Sequence, residues 1–147
     1  MKRRLLLITL LSLLGAVSAH AGNADLPRVT PEEFDQKILP GYGMKIVEVW
    51  ASWCPHCRNT EPAVDEFTDR YSKQIPVYIL DYDKYRDYAK SLGVEKIPTF
   101  LLYHQGKRVD KLQGERDVRE IARWVNRYAR PYFGAGFLTL PPKKLTD

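Results

Sequence analysis

The sequence has few of the residues that build disulfide frameworks or metal sites. Among its 147 residues there are two cysteines, Cys54 and Cys57, and three histidines. A scaffold stapled by disulfides needs more cysteines at wider spacing, so that class is excluded. A structural zinc site needs four ligands. Only His56 and His104 accompany the cysteines beyond residue 21, and we therefore expect no metal.

The sequence also lacks a strong excess of charge of one sign. The formal net charge is +5, but three basic residues lie at positions 2–4. Without those three, 20 basic residues stand against 18 acidic ones. The rest of the chain is thus close to neutral, which argues against nucleic acid as a partner. Hydrophobic residues make up 44% and charged residues 28%, which is typical of a single soluble globular domain at this length.

No hydrophobic run is long enough to cross a bilayer comfortably. The apolar stretch from Leu5 to Val17 has 13 residues, whereas a membrane helix needs about 20. It follows the basic start and precedes Ala19 and Ala21, the small residues of an A-x-A cleavage site. This pattern predicts a secretory signal peptide, residues 1–21, cleaved after Ala21, and hence a periplasmic protein. The alternative is an uncleaved anchor, which would also place the domain outside the cytoplasm.

Helix and strand signals alternate along the rest of the chain. Thr30-Pro31-Glu32-Glu33 is a helix start with an N-cap, a proline and a capping glutamate. A second start is expected at Asp117, and Pro131 is expected to end that helix. Four helices are predicted: residues 31–39, a stretch from the cysteine pair to residue 72, residues 85–92 and residues 117–130. Four strands are predicted at residues 44–51, 76–80, 99–103 and 108–113. This order indicates an α/β domain with a mixed sheet of four to five strands and helices on both faces.

Two cysteines three positions apart can support several chemistries. Covalent haem attachment needs a histidine directly after the second cysteine, and Arg58 stands there instead. A Cu(I) site built from the two thiolates is chemically possible and stays an alternative. In an oxidising compartment, a pair with no other cysteine to join favours a redox centre that cycles between dithiol and disulfide.

The position of the pair, after a strand and at the start of a helix, predicts a role for each cysteine. Unpaired N–H groups and the helix dipole favour an anion there. We therefore expect Cys54 to have a lowered pKa and to be the nucleophile. Cys57, one turn inside the helix, would be the more buried resolving thiol. His56 would stabilise the Cys54 thiolate further, and Pro55 would stiffen the loop.

The segment Trp50–Cys57, WASWCPHC, resembles the active site of the thioredoxin family. Pro62 lies where that family carries a helix-kinking proline, and Ile97-Pro98-Thr99 resembles its cis-proline motif, 41 positions after Cys57. The resemblance covers about residues 29–128. It implies a thioredoxin fold and the activity of a thiol–disulfide oxidoreductase that needs no cofactor.

The resemblance also implies a substrate-binding surface around the pair. If the peptide bond before Pro98 is cis, the backbone of Ile97 would lie beside Cys54 and could pair with a substrate strand. Trp53 and Pro55 would belong to the same surface.

Glu48 takes the place of the family's buried acid beneath the active site. Its alternation with Ile46 and Trp50 on one face of a strand independently predicts apolar surroundings. A carboxyl group there would have a raised pKa and could pass protons to and from Cys57.

The dipeptide between the cysteines, Pro55-His56, resembles that of DsbA-type oxidants of the bacterial periplasm rather than the Gly-Pro of thioredoxin. The interval of 41 residues from Cys57 to Pro98 cannot hold the helical insertion of that group. A stabilised thiolate favours an oxidant, whereas the compact scaffold favours a reductant. The sequence therefore leaves the direction of electron flow open.

The sequence as a whole predicts an exported thiol–disulfide oxidoreductase, with residues 22–130 as its thioredoxin-like domain. We expect a monomer whose partners are cysteine-containing exported proteins and a membrane thiol-redox protein. The extension 131–147 is rich in apolar residues, and we expect it to pack on the domain. A chaperone-like interaction module, with this extension as its binding element, is a further alternative.

Overall fold

The computed structural model describes residues 26–143, so the predicted signal peptide lies outside the described residues. Within 26–143, no helix has the length and apolar character needed to cross a membrane. The elements in chain order are α1 (Pro31–Lys37), β1 (Met44–Trp50), α2 (Pro55–Tyr71), β2 (Val77–Asp81), α3 (Arg86–Ser91), β3 (Thr99–His104), β4 (Lys107–Gln113) and α4 (Val118–Phe133).

The four strands form one mixed sheet in the order β2-β1-β3-β4. Strand β1 pairs with β2 in parallel and with β3 antiparallel, and β3 pairs antiparallel with β4. Side chains of β1 alternate between two hydrophobic cores, as a strand requires. Ile46 packs in the core that includes residues of α2 and α4, whereas Val47 and Val49 pack in the core that includes residues of α1 and α3. The predicted architecture, with helices on both faces, is confirmed.

Two helices begin at capping boxes that the sequence predicts. At α1, the Thr30 hydroxyl accepts from the Glu33 N–H at 3.2 Å, and the Glu33 carboxylate accepts from the Thr30 N–H at 3.1 Å. At α4, Asp117 and Glu120 make the same reciprocal pair at 2.7 and 2.9 Å. Each box satisfies two backbone donors at a helix end, and the second one sets where α4 begins beside the cysteine pair.

The expectation that Pro131 ends α4 is wrong. The helix continues to Phe133 and ends at Gly134, whose φ of +85° suits glycine. Proline removes one backbone donor, but tertiary packing holds the last turn in place. The ring centroid of Tyr132 lies 4.1 Å from that of His104, and the Phe133 centroid lies 5.5 Å from it. Aromatic packing therefore outweighs the local preference of proline.

Residues 134–143, which we call the C-terminal strap, pack against α2 and α4. Leu138 is 1% exposed and belongs to the core that contains residues of both helices. The Asn126 side chain accepts from the Leu138 N–H at 2.7 Å and donates to the Leu138 carbonyl at 2.8 Å. The Tyr71 hydroxyl, at the end of α2, donates to the Thr139 carbonyl. The last four residues of the chain lie outside the described part.

Candidate active site

The cysteine pair lies between the end of β1 and the first turn of α2. Cys54 is the N-cap residue of α2 and is 3% exposed, whereas Cys57 is fully buried one turn further on. Both are thiols in this structure. The Cys54 sulfur accepts a hydrogen bond from the Cys57 N–H at 3.2 Å. This N–H would otherwise lack a partner in the first helical turn, and such a donor stabilises negative charge on the sulfur.

The surroundings of Cys57 hold its thiol in the protonated form. Burial raises the pKa of the Cys57 thiol, and its hydrogen bonding with Cys54 raises the pKa further. The negative charges of Cys54 and Glu48 add smaller increases. Cys57 must therefore lose its proton to another group before it can attack a disulfide, which is the chemistry of a resolving thiol.

Glu48 lies in the middle of β1 and is fully buried. Its register partners are Ile79 in β2 and Phe100 in β3, so apolar strands flank it on both sides. Its charge acts on the pKa of Cys57. The structure thus places a buried carboxyl group within electrostatic range of the resolving thiol, while the role of proton relay stays a prediction.

The loop before β3 brings a backbone carbonyl beside the Cys54 sulfur. The Ile97–Pro98 peptide bond is cis. The Cys54 sulfur lies 3.7 Å from the Ile97 carbonyl oxygen, although 43 positions separate the two residues. Pro98 is buried, and its carbonyl accepts from the Gly114 N–H at 2.8 Å. This segment is therefore tied to the loop that precedes α4 as well as to the cysteine pair.

An exposed rim surrounds the nearly buried Cys54. Trp53 is 56% exposed, and Pro55 and His56 are also exposed. The Trp53 indole N–H donates to the Asp83 carboxylate, with distances of 2.8 and 3.0 Å to its two oxygens. Asp83 follows β2, so this contact fixes the indole at the edge of the site. We expect a partner that reaches the sulfur to contact these side chains.

Sequence reasoning missed the acid that contacts His56. Glu115, in the loop before α4, contacts His56 Nδ1 and accepts from the Asn59 side chain at 3.0 Å. The hydrogen bonds from His56 and Asn59 hold the pKa of the Glu115 carboxyl below its usual value. No local signal marks this residue, because 59 positions separate it from His56. No local signal marks Asp83 either, because 30 positions separate it from Trp53.

No cluster of three or more potential metal ligands occurs among residues 26–143. The thiol pair and the groups around it are suited to exchange between a dithiol and a disulfide. That chemistry needs one accessible sulfur, a second sulfur within reach, and groups that control the protons of both.

The comparisons with known proteins agree with this geometry. The family model for thioredoxin matches residues 25–127. The chain belongs to the thioredoxin family. It is 32% identical to thioredoxin 1 of Synechococcus elongatus over 100 residues, which cover 68% of this chain and 94% of that protein. It is also 32% identical to the thioredoxin of Pyropia yezoensis over 101 residues, 69% of this chain and 94% of the relative.

Among solved structures, the thioredoxin Mala s 13 of Malassezia sympodialis superposes with a TM-score of 0.63. The match covers 76% of this chain and 95% of that one at 20% identity, and it shows the shared fold. This thioredoxin-family chain is thus a protein thiol–disulfide oxidoreductase. The predicted thioredoxin fold is confirmed.

Proposed function

We propose that this thioredoxin-family protein is exported and exchanges its Cys54–Cys57 disulfide or dithiol with cysteines of periplasmic proteins. The observation that carries the exchange is the position of the Cys54 sulfur. It lies 3.2 Å from the Cys57 N–H and 3.7 Å from the Ile97 carbonyl oxygen. The first contact would stabilise charge on the sulfur, and the second would bring a substrate strand that pairs with the Ile97 backbone beside Cys54.

In the reducing direction, the Cys54 thiolate attacks one sulfur of a substrate disulfide. A mixed disulfide forms, and the other substrate sulfur leaves as a thiolate. Cys57 then loses its proton and attacks the Cys54 sulfur, which releases the second substrate thiolate and forms the Cys54–Cys57 disulfide. Two electrons pass to the substrate, and its two released thiolates take up protons from solvent. In the oxidising direction, a substrate thiolate attacks the Cys54–Cys57 disulfide and the same steps run in reverse.

Three groups support these steps from different sides. Glu48, fully buried, would accept the proton of Cys57 and return it in the reverse reaction. His56 would stabilise the thiolate of Cys54, and the exposed Trp53 would contact the substrate next to its reacting sulfur. A membrane thiol-redox partner would restore the starting state of the pair after each cycle.

The proposal of export rests on the sequence of residues 1–21. Lys2, Arg3 and Arg4 precede the apolar run, and Ala19 and Ala21 follow it. Expression of the full chain in a Gram-negative host tests this proposal. We expect a periplasmic protein whose first residue is Gly22 by N-terminal sequencing. As a control, Leu7→Arg interrupts the apolar run and should leave the chain uncleaved in the cytoplasm; cytoplasmic retention of the unaltered chain would contradict export.

A redox titration tests the exchange. The protein is equilibrated in glutathione buffers and followed by tryptophan fluorescence, because Trp50 and Trp53 flank the pair. A potential close to about −120 mV would make the protein an oxidant, and one close to about −270 mV a reductant. The absence of any reversible two-electron transition would contradict the exchange and would leave Cu(I) retention by the thiolates as the hypothesis to test.

A further inference from the structure

The contact between Glu115 and His56 joins the cysteine motif to a loop that the motif does not include. One carboxylate oxygen of Glu115 contacts His56 Nδ1 and accepts from Asn59 Nδ2 at 3.0 Å. His56 and Asn59 lie one turn apart on α2, so the carboxylate bridges the first two turns of that helix. His56 is two positions from Cys54. Because the proposed function gives His56 a role at the Cys54 thiolate, this contact bears on the redox pair.

The loop that carries Glu115 is held at both ends. The Gly114 N–H donates to the Pro98 carbonyl at 2.8 Å, which ties the loop to the cis-proline segment. Asp117 closes the capping box of α4. Arg116 Nη1 donates to the Glu115 carbonyl oxygen at 2.5 Å. Since backbone contacts hold the loop, the Glu115 side chain starts from a defined position, as a positioning residue requires.

The contact between His56 and Glu115 contributes little to the stability of the fold. The side chains of His56 and Glu115 are 71% and 43% exposed, and exposed ion pairs contribute little to folding. The contact can instead influence the charge on the Cys54 sulfur. A carboxylate that contacts an imidazole holds the ring in a defined position. A positive charge close to Cys54 favours its thiolate, which exists only in the reduced protein.

We propose that Glu115 is a positioning residue for the redox couple, which holds His56 in place and through it makes the Cys54–Cys57 pair more oxidising. The inference rests on the proposed exchange function. The lowered pKa of Glu115 agrees with it, because the hydrogen bonds from His56 and Asn59 cause the lowering. The negative charge of Glu115 also acts directly on Cys54, in the opposite sense. A test must separate this direct effect from the effect through His56.

A double-mutant cycle makes that separation. The four proteins are the unaltered chain, Glu115→Gln, His56→Ala and the double variant. For each, the equilibrium constant for oxidation of glutathione by the Cys54–Cys57 disulfide is measured at pH 7. We expect Glu115→Gln alone to lower this constant by threefold or more, about 14 mV at 29.6 mV per tenfold change. In the His56→Ala background, the same substitution should either change the constant by less than about 1.5-fold or raise it.

Each other result overturns the inference. If Glu115→Gln lowers the constant equally in both backgrounds, or does not lower it in the presence of His56, Glu115 does not act through His56. Glu61→Gln is the matched control, because it removes a negative charge from α2 at a position five residues after His56. A decrease as large in Glu61→Gln would also overturn the inference. If no protein shows a reversible transition, the proposed exchange itself fails, which is a distinguishable outcome.

Discussion

The N-terminal turns of α2 and α4 lie close together near the cysteine pair, whereas Tyr71 and Phe133 at their C-terminal ends contact residues 137–139 of the C-terminal strap. We call these two ends the active-site pole and the strap pole. The end of the strap runs back along α4, where Arg119 donates to the Pro141 carbonyl. At the active-site pole, Glu115 before α4 contacts His56 in α2 through exposed side chains. At the strap pole, Tyr71 at the end of α2 donates to the backbone of Thr139. The same two helices therefore contact polar, titratable groups at one end and a packed peptide segment at the other.

The two poles also differ in the side chains that they bring together. Along the strap pole, aromatic rings pack on one another: His104 contacts Tyr132 and Phe133, and Phe133 stacks on Phe137 with centroids 4.6 Å apart. The active-site pole buries two thiols under an exposed rim. We therefore expect the stability of the fold to depend on the strap pole and the exchange chemistry to depend on the active-site pole. Substitutions at one pole should then leave the property of the other unchanged.

The largest expected effect is the loss of exchange in Cys54→Ser. Without the nucleophilic sulfur no mixed disulfide can form, so disulfide exchange should fall to the uncatalysed rate. Cys57→Ser keeps the nucleophile and should accumulate the mixed disulfide with a substrate peptide, which mass spectrometry detects. Catalysed exchange in Cys54→Ser would contradict the assignment of the nucleophile and the division between the poles.

At the strap pole, Leu138→Ala should lower the free energy of unfolding by about 3 kcal/mol, because it removes a buried side chain and leaves a cavity. Urea denaturation measures the loss. The equilibrium constant with glutathione should not change. Thr139→Ala is the matched control, since this side chain is exposed and only its backbone carbonyl is bonded to Tyr71. A shifted redox constant in Leu138→Ala would show that the poles are coupled.

Glu48→Gln tests whether the buried acid moves protons. The glutamine has a similar size but cannot accept the proton of Cys57, so resolution of the mixed disulfide should slow about tenfold or more. Removal of the Glu48 charge also lowers the Cys57 pKa, but this charge contributes less to that pKa than burial does. Stopped-flow kinetics give the rate. An unchanged rate would show that Glu48 does not transfer the proton of Cys57. The control is Glu95→Gln, at an exposed position.

The smallest expected effect is a dependence of stability on alkaline pH in the reduced protein. Burial raises the pKa of Cys57 above its ordinary value of 9.0. A raised pKa in the folded state contributes stability that is complete below the unfolded value and is lost as the pH rises toward the folded value. The loss should therefore begin near pH 9, with a slope of at most about 1.4 kcal/mol per pH unit.

Urea denaturation between pH 7 and 10 measures this slope, and Cys57→Ser provides the reference. The variant keeps the buried tyrosines, among them Tyr103, whose pKa burial raises to about 12. The difference between the two proteins therefore isolates Cys57. Equal slopes for both would show that the folded protein does not hold this thiol protonated.

Much of the fold could be predicted from local patterns. The capping boxes at Thr30 and Asp117 follow from residues three positions apart, and the structure contains both. The strand around Glu48 follows from its apolar run. The end of α4 could not be predicted in this way. Pro131 disfavours a helix locally, whereas the packing of Tyr132 and Phe133 on His104 depends on a strand that lies far away in the sequence.

Local sequence was enough to predict the cysteine pair at a strand–helix junction, because an apolar run precedes the pair and a helical pattern follows it. The roles of Cys54 as nucleophile and Cys57 as resolving thiol stay predictions. The groups around the pair come from distant parts of the chain. The Ile97 carbonyl and the Glu115 carboxylate reach it across 43 and 59 positions. Such contacts depend on how distant loops are held against one another, and no local preference of the chain encodes them.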